Sequence, residues 1–454
     1  MPGWKRAPAG AAATTDVSEV VNAARFNTYH ARIVALCGAL VLFDGFDLSA
    51  ISYAAPDFAS QFAVKPMMMA PVFSVGLLGL TLGGMVCGPI ADRIGARRVF
   101  AACGALFGMF SLAILDTNRM GELLAERFLA GLALGGASPI AITIASDILP
   151  SRLRTAVTMM MAVSASVGAI AAGPVYGFLT FSGWRSVFWI GGVLPLLLVP
   201  LILLLMPEPL EFLVMRGAPP AQIRAILARI EPRQDFSCQT LFTVPRENEA
   251  GFQPVQLFRD GRAAITVSLW IVFIVSLIAI YFLLQWLPTL LSADGLSRIE
   301  IVRVVNGLQL GGLLGVLLAV PLVVRLPPFL VAGGGYFCAA LAVLGLATTE
   351  GSHLLLAFIA LSIGVFLFGA QSVLNVSSAG LYPCCMRSTG VGWGFGIGRA
   401  GAALSPAMAG ALVALRWRPT ALFMTASVPI VLAALFMLVV HHLIQGRRLP
   451  ASRA

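Results

Sequence analysis

Long apolar runs separated by short polar loops follow one another along almost the whole chain. A helix that crosses a bilayer needs about 20 apolar residues, and the sequence supplies twelve runs near that length. The runs lack the alternation of polar and apolar residues that marks the strands of a membrane barrel, so we predict an all-α membrane protein. The predicted spans are residues 30–52, 67–91, 97–116, 121–147, 155–181, 186–206, 264–288, 300–325, 328–348, 353–380, 389–414 and 419–442.

One long polar stretch divides these spans into two sets of six. It opens with Pro207-Glu208-Pro209 and contains a basic helical pattern from Ala221 to Ile230. The residues before the first span lack the apolar core and cleavage site of a signal peptide, so we expect a loose cytoplasmic tail there. The predicted organisation is an N-terminal tail (1–28), a six-helix half (29–206), a cytoplasmic linker (207–262), a second six-helix half (263–443) and a C-terminal tail (444–454).

A weak internal repeat supports the division into halves. Residues 149–155 are echoed by residues 382–388, and Trp184-Arg185 is echoed by Trp417-Arg418. Both pairs lie 233 positions apart (382 − 149 and 417 − 184). A parallel repeat of two six-helix halves resembles the arrangement of major facilitator transporters, so we predict that fold with two pseudo-symmetric halves.

Composition agrees with a membrane protein and gives the chain an orientation. Hydrophobic residues make up 59% of the sequence and charged residues only 11%, whereas a soluble domain is about 25% charged. Despite the net charge of +10, most arginines sit in short loops, such as Arg93, Arg152 and Arg387. This distribution is typical of cytoplasmic loops rather than of nucleic-acid binding. We therefore expect a multi-pass protein of the bacterial inner membrane with both termini in the cytoplasm.

The loop after the second span resembles the major facilitator signature G-x-x-x-D-R-x-G-R-R, with Ala96 inserted before the last two arginines. We assign it to gating, although topology signals alone would explain its arginines. In the second half, Val324 stands at the position of the signature aspartate and Arg325 is retained, so we expect a one-sided latch. The gating residues are Gly88, Asp92, Arg93, Gly95, Arg97 and Arg98.

Acidic residues inside the spans are candidates for proton coupling. Asp44 and Asp47 are three residues apart and therefore lie on one helix face. Intramembrane acids usually mark ion or proton pathways, and a structural ion pair is the alternative. Arg127 is the expected partner, because it lies about 9 Å below the outer end of its span and Asp44 about 12 Å below that of its own. Asp147 is expected either to release protons or to pair with Arg152 or Arg154.

Arg399 falls in the middle of the eleventh span, where an uncompensated guanidinium is unfavourable. Its planar fork suits a carboxylate substrate, and pairing with a protein acid is the alternative. Amides and aromatic side chains of other spans are expected to form a small polar pocket around Arg127 and Arg399. Helix–helix hydrogen bonds are the alternative for each of them. They are Gln285, Trp286, Asn306, Gln309, Gln371, Asn375 and Trp393.

Several motifs together resemble the aromatic acid:proton symporter family of the major facilitator superfamily. They are Phe43-Asp44-Gly45-Phe46-Asp47, Tyr53-Ala54-Ala55-Pro56, the run from Arg127 to Gly136, the run from Gly369 to Asn375, Thr389-Gly390-Val391-Gly392-Trp393 and Gly396-Ile397-Gly398-Arg399. The resemblance implies uptake of benzoate-like acids, such as hydroxybenzoates, protocatechuate or vanillate, with protons. It also implies functional weight on Asp44, Asp47, Asp92, Arg127 and Arg399. Ile140 departs from the family pattern, which has asparagine after the proline.

The expected function is therefore proton-coupled import of an aromatic carboxylate by alternating access, and not enzymatic catalysis. An antiporter that exports organic acids or drugs is the alternative within the same fold. A membrane sensor or enzyme would need a signalling domain or a catalytic cluster, and the sequence contains neither. The seven scattered cysteines indicate no disulfide framework or metal site. We expect no cofactor besides protons, membrane lipid as surroundings, no nucleic-acid partner and a monomer.

Overall fold

The computed structural model describes residues 14–178, 184–231, 241–243, 257–258, 262–349, 352–378, 381 and 387–448. Most of the second copy of the repeat, residues 382–386, lies outside these ranges, as do parts of both tails and of the linker. The elements of the first half and linker are β1 (Thr14–Asp16), α1 (Val17–Ala23), α2 (Thr28–Gln61), α3 (Met69–Ile94), α4 (Ala96–Ala113), α5 (Met120–Ile148), α6 (Ser151–Phe178), α7 (Arg185–Leu205), α8 (Leu210–Met215), α9 (Pro220–Ile230) and β2 (Leu241–Thr243). The second half contains α10 (Ala263–Ala293), α11 (Arg298–Arg325), α12 (Pro328–Thr348), α13 (His353–Ser378), α14 (Arg387–Ala414) and α15 (Pro419–Arg448).

Twelve helices in the described ranges, α2 to α7 and α10 to α15, are long and apolar enough to cross a membrane. The prediction of a twelve-helix membrane protein is confirmed. The largest difference is α2, which continues through Pro56 and ends at Gln61, nine residues beyond the predicted end of the first span. Proline is tolerated inside membrane helices because neighbouring helices and local adjustments satisfy the freed backbone groups.

The two halves use the same helix pairings. In the first half, α3 packs on α5, α2 on α6 and α4 on α7, and the corresponding pairs in the second half are α11 with α13, α10 with α14 and α12 with α15. Glycine allows some of these helices to touch backbone to backbone. A Cβ added to Gly45 of α2 would lie 1.8 Å from the carbonyl oxygen of Ala165 in α6. The repeat in the sequence therefore corresponds to a repeated packing pattern.

The N-terminal segment differs from the loose tail that we expected. Strand β1 pairs in parallel with β2 of the linker, and Val17, Val20 and Val21 of α1 are buried. The Asn27 amide donates hydrogen bonds to two carbonyl oxygens at the end of α9, over 2.9 and 3.0 Å. The segment is ordered because its apolar face and its strand edge both find partners in the linker.

We call the end of the molecule that carries this linker the linker end, and the other end the opposite end. Because each half has six membrane helices, α2 starts and α15 finishes at the linker end. The halves meet through α2 with α10, α3 with α14 and α6 with α11. The candidate site lies along these contacts.

Candidate functional site

Asp47 of α2 and Arg127 of α5 form a closed ion pair inside the first half. Arg127 Nη1 donates to Asp47 Oδ1 over 2.6 Å, and Nη2 donates to Oδ2 over 2.7 Å. Both residues are buried, with 5% and 3% of their surfaces exposed. The equal depths deduced from the sequence suggested Asp44 as the partner of Arg127. The structure selects Asp47 instead, because α2 extends further than predicted and Asp47 lies one turn nearer the opposite end.

Asp44 has a different and less complete environment. Its Oδ2 accepts a hydrogen bond of 3.0 Å from the Ser138 hydroxyl of α5. Its Oδ1 is buried and has no hydrogen-bond partner among the described residues. A buried carboxylate oxygen without a partner is unfavourable. Asp44 therefore keeps one carboxylate oxygen without a partner among the described residues, whereas both oxygens of Asp47 accept hydrogen bonds from Arg127.

Arg399 reaches across the interface from the second half. A Cβ added to Gly84 of α3 would lie 2.8 Å from Arg399 Nη1, so the guanidinium rests on the backbone of the first half. Asp44 and Tyr281 of α10 are its electrostatic neighbours. Within the described ranges, Arg399 has no hydrogen-bond acceptor. The arrangement holds a carboxylate and a guanidinium from opposite halves close together without a direct ion pair.

Three polar contacts join α2 to α11 above this site. The amide of Gln309 donates to the Ser49 hydroxyl over 3.2 Å, and the Tyr53 hydroxyl donates to Asn306 Oδ1 over 3.0 Å. Arg298 Nη2 donates to Asp57 Oδ2, also over 3.0 Å. We call these three contacts the polar ladder. The positions on α2 are four residues apart, so the ladder runs along one face of that helix from near Asp44 to the opposite end.

Gln285 and Trp286 of α10 are fully buried, and both carry a polar atom that has no partner among the described residues. These atoms are Gln285 Oε1 and Trp286 Nε1. The Trp286 ring packs edge-on against Phe73 of α3, with the ring centroids 5.8 Å apart. Trp286 therefore lies where the halves meet, and both residues have unused hydrogen-bonding capacity.

The remaining pocket candidates make contacts within the second half. The Tyr336 hydroxyl donates to Gln371 Oε1 over 2.9 Å, and the Gln371 amide donates to Asn375 Oδ1 over 3.1 Å. Trp393 stacks on Trp270 with the centroids 6.0 Å apart. For Gln371 the bond from Tyr336 is the helix-to-helix hydrogen bonding that the sequence left open, whereas the bond to Asn375 lies within α13. Neither residue is in a described contact with Arg399.

Comparison with known proteins identifies the family of this chain. The family model described as Major Facilitator Superfamily matches residues 37–406. The chain belongs to the major facilitator superfamily. It has the fold of the D-xylose-proton symporter crystal structure, at 16% identity, with a TM-score of 0.72 over 90% of this chain and 97% of that one.

Two relatives in the superfamily are similar over nearly their whole length. The chain is 35% identical to a gallate transporter of Pseudomonas putida, covering 95% of this chain and 96% of the relative. It is 34% identical to the 4-hydroxybenzoate transporter PcaK of Pseudomonas aeruginosa, covering 88% and 90%. The predicted kinship with aromatic acid transporters is confirmed. The chain is a multi-pass membrane transporter and not an enzyme.

The superfamily signature loop is held by a residue that the sequence analysis missed. Glu208, which is 7% exposed, accepts a hydrogen bond of 3.2 Å from the Arg97 backbone N–H. Its Oε1 lies 3.6 and 3.8 Å from the Nε atoms of Arg97 and Arg98. Gly95 adopts φ +106° beside it, where a Cβ would come within 2.7 Å of the carboxylate. The sequence did contain a signal for this role, because Glu208 is an acidic residue between two prolines just after the sixth span.

The other signature residues face the solvent at the linker end. Asp92 and Arg93 are exposed, and the Arg93 carbonyl accepts a hydrogen bond from Arg216. A Cβ on Gly88 would meet nothing within 4 Å. These residues thus have room to meet another surface at this end.

Asp147 at the end of α5 lies beside the linker. Its Oδ2 accepts a hydrogen bond from the backbone N–H of Leu210, the first residue of α8. Arg154 is one of its electrostatic neighbours. The structure thus gives Asp147 a capping contact with the linker, away from Asp44.

Proposed function

We propose that the protein imports an aromatic carboxylate together with protons by alternating access. The substrate class comes from its relatives, which are named for gallate and 4-hydroxybenzoate. One observation carries the mechanism: Asp44 and Arg399 are electrostatic neighbours from different halves, and Asp44 Oδ1 has no hydrogen-bond partner among the described residues.

The two candidate arginines divide their roles by their partners. Arg127 is already held by both oxygens of Asp47, and removing it from that buried pair would leave an uncompensated charge. Arg399 has free donors and a fork geometry that matches a carboxylate. We therefore assign the substrate carboxylate to Arg399, and treat Asp47 and Arg127 as the support that fixes α2 against α5.

Coupling follows from charge. When Asp44 is ionised, its negative charge near Arg399 opposes the arrival of a second carboxylate. A proton on Asp44 removes that repulsion and lets the substrate bind the guanidinium. Each ligand thus increases the affinity for the other, and this reciprocity is the thermodynamic basis of symport.

The direction of opening follows from the contacts between the halves. The polar ladder and the Phe73–Trp286 contact lie between mid-depth and the opposite end, and the Gly84–Arg399 contact lies near mid-depth. These contacts close the opposite end, so the site is released toward the linker end. We place the linker end in the cytoplasm, because the arginine-rich loops lie there.

The test is uptake of labelled 4-hydroxybenzoate or gallate into proteoliposomes under an imposed proton gradient. We expect the wild type to accumulate the acid, Asp44→Asn to lose gradient-driven accumulation and Arg399→Gln to raise KM. Asp294→Asn, a change of an exposed acid at the end of α10, is the matched control. Undiminished coupled uptake by Asp44→Asn would remove Asp44 from the mechanism. Export driven by the proton gradient would identify an antiporter.

A further inference from the structure

A cavity lies between the halves at the opposite end, well away from Arg399. It has a volume of about 140 Å³ and is lined by residues that include Tyr53, Asp57, Tyr176 and Arg298. We call it the outer cavity. Asp57 is 13 residues along α2 from Asp44, which corresponds to about 20 Å of helix.

The walls of the outer cavity are suited to an aromatic ring. Tyr53 of α2 and Tyr176 of α6 stack with their centroids 5.4 Å apart and their planes within 17°. The Arg298 guanidinium carbon lies 4.4 Å from the centroid of the Tyr176 ring. Pro288 and Leu296 add apolar surface. A cavity of about 150 Å³ is sufficient to hold benzene, so a single ring matches this volume.

The Arg298–Asp57 ion pair in the outer cavity is weak enough for Arg298 to exchange Asp57 for another acceptor. Arg298 contacts Asp57 through a single pair of atoms at 3.0 Å, and their side chains are 32% and 26% exposed. A partly exposed ion pair is weak because water screens it. A guanidinium has five N–H donors, so most of those on Arg298 remain for another acceptor. The Tyr176 hydroxyl also donates to Asp57 Oδ2, over 3.2 Å, and keeps Asp57 in place when Arg298 is released.

From this geometry we infer that the outer cavity is a first binding site for the transported aromatic carboxylate, ahead of Arg399. The carboxylate of the substrate takes Arg298 in place of Asp57, and its ring lies among the tyrosine and apolar walls. Because Asp57 and Arg298 belong to different halves, the substrate replaces a protein contact that ties the halves together. This inference rests on the proposed function, since it assumes that the cargo is an aromatic carboxylate.

Two variants distinguish a substrate-binding site from an ion pair that only holds the halves together. If Asp57 and Arg298 only hold the halves together, Asp57→Asn and Arg298→Gln remove the same ion pair and shift KM in the same direction. If Arg298 binds substrate and Asp57 competes with it, the two changes act oppositely. Arg298→Gln then weakens binding, and Asp57→Asn strengthens it.

The experiment measures initial uptake rates into proteoliposomes that present the opposite end to the medium. We expect Arg298→Gln to raise KM about tenfold, as for the loss of one charge-assisted contact, and Asp57→Asn to lower KM. Arg298→Lys, which keeps the charge, should fall between wild type and Arg298→Gln. Arg303→Gln, which alters an exposed arginine on the same helix, should leave KM unchanged. With substrate presented at the linker end, all four variants should keep the wild-type KM.

Other results would overturn the inference. A shift of KM in the same direction for Asp57→Asn and Arg298→Gln, with intact wild-type transport, would leave a latch and no outer site. An Arg298→Gln KM equal to that of wild type would also remove the site. A wild-type protein that takes up no aromatic carboxylate would overturn the proposed function and this inference together. Gel filtration of every variant confirms that it is folded before its KM is compared.

Discussion

Arg399 of α14 packs against Gly84 of α3, so that a guanidinium from the second half rests on the backbone of the first. The space exists because Gly84 has no side chain: a Cβ there would lie 2.8 Å from Arg399 Nη1 and 3.3 Å from the carbonyl oxygen of Gly135. The position of the guanidinium that we propose to bind the substrate is therefore set by a residue that has no side chain.

Gly84→Ala should displace Arg399 and weaken substrate binding without unfolding the protein, because the crowded atom is at the end of a flexible side chain. Loss of a charge-assisted contact costs about 1.5–3 kcal/mol, which corresponds to a KM increase of roughly tenfold or more. Uptake kinetics measure this change. Gly345→Ala is the control, since a Cβ there would meet nothing within 4 Å. An unchanged KM for Gly84→Ala would contradict the placement of Arg399.

The Asp47–Arg127 pair should behave as a unit in stability measurements. Asp47→Asn leaves the buried Arg127 guanidinium without its counter-charge, and breaking a buried pair in this way costs about 3–5 kcal/mol. The double variant Asp47→Asn with Arg127→Gln removes both charges and should melt at a higher temperature than Asp47→Asn alone. Thermal unfolding in detergent compares the variants. If the decreases in melting temperature of the two single variants add up to that of the double variant, the two residues act independently.

Close packing of α2 on α6 should make two glycines intolerant of any side chain. A Cβ on Gly45 would lie 1.8 Å from the Ala165 carbonyl oxygen, and a Cβ on Gly168 would lie 1.8 Å from that of Leu42. Overpacking of this kind typically costs about 1–3 kcal/mol. We expect Gly45→Ala and Gly168→Ala to lower the melting temperature and the yield of folded protein, whereas Gly345→Ala should not. Wild-type melting of Gly45→Ala would disprove the backbone contact.

Glu208→Gln should loosen the linker from the signature loop. The change removes the charge that Arg97 and Arg98 share, while keeping the size of the side chain. We expect faster tryptic cleavage in the linker and a lower melting temperature, by an amount that corresponds to about 1–2 kcal/mol. Glu211→Gln, which alters an exposed glutamate three residues further along, serves as the matched variant. Equal cleavage rates for both variants would show that Glu208 does not hold the loop.

The number of spans and the candidate charges could be predicted from the sequence because each depends on local chemistry. The length of each apolar run matches the thickness of the bilayer. Asp44, Arg127 and Arg399 were identifiable because charged residues are rare inside spans. Their pairing could not be predicted in full. Asp44 and Asp47 share one helix face, yet their partners Ser138 and Arg127 lie 94 and 80 residues away, and small differences in helix length decide which acid meets which partner.

Short strands and single polar contacts between distant segments were also beyond the sequence. Strands β1 and β2 have three residues each, too few to show a period, and they pair across the whole first half. Asn306 and Gln309 were identifiable as polar residues of one span. Their partners Tyr53 and Ser49 were not, because a tyrosine and a serine in an apolar helix carry no positional signal.

In the proposed mechanism of alternating access, the polar ladder also determines the free-energy barrier to opening of the opposite end. Its three rungs lie one helical turn apart, so separating the halves from that end exposes Asp57 first, then Tyr53, then Ser49. Water can replace each broken hydrogen bond before the next one breaks, and the net loss at each rung is then about 0.5–1.5 kcal/mol. The activation free energy for separating the halves is therefore set by the loss of one contact at a time instead of all three at once. Each of these losses is small enough for thermal motion to supply.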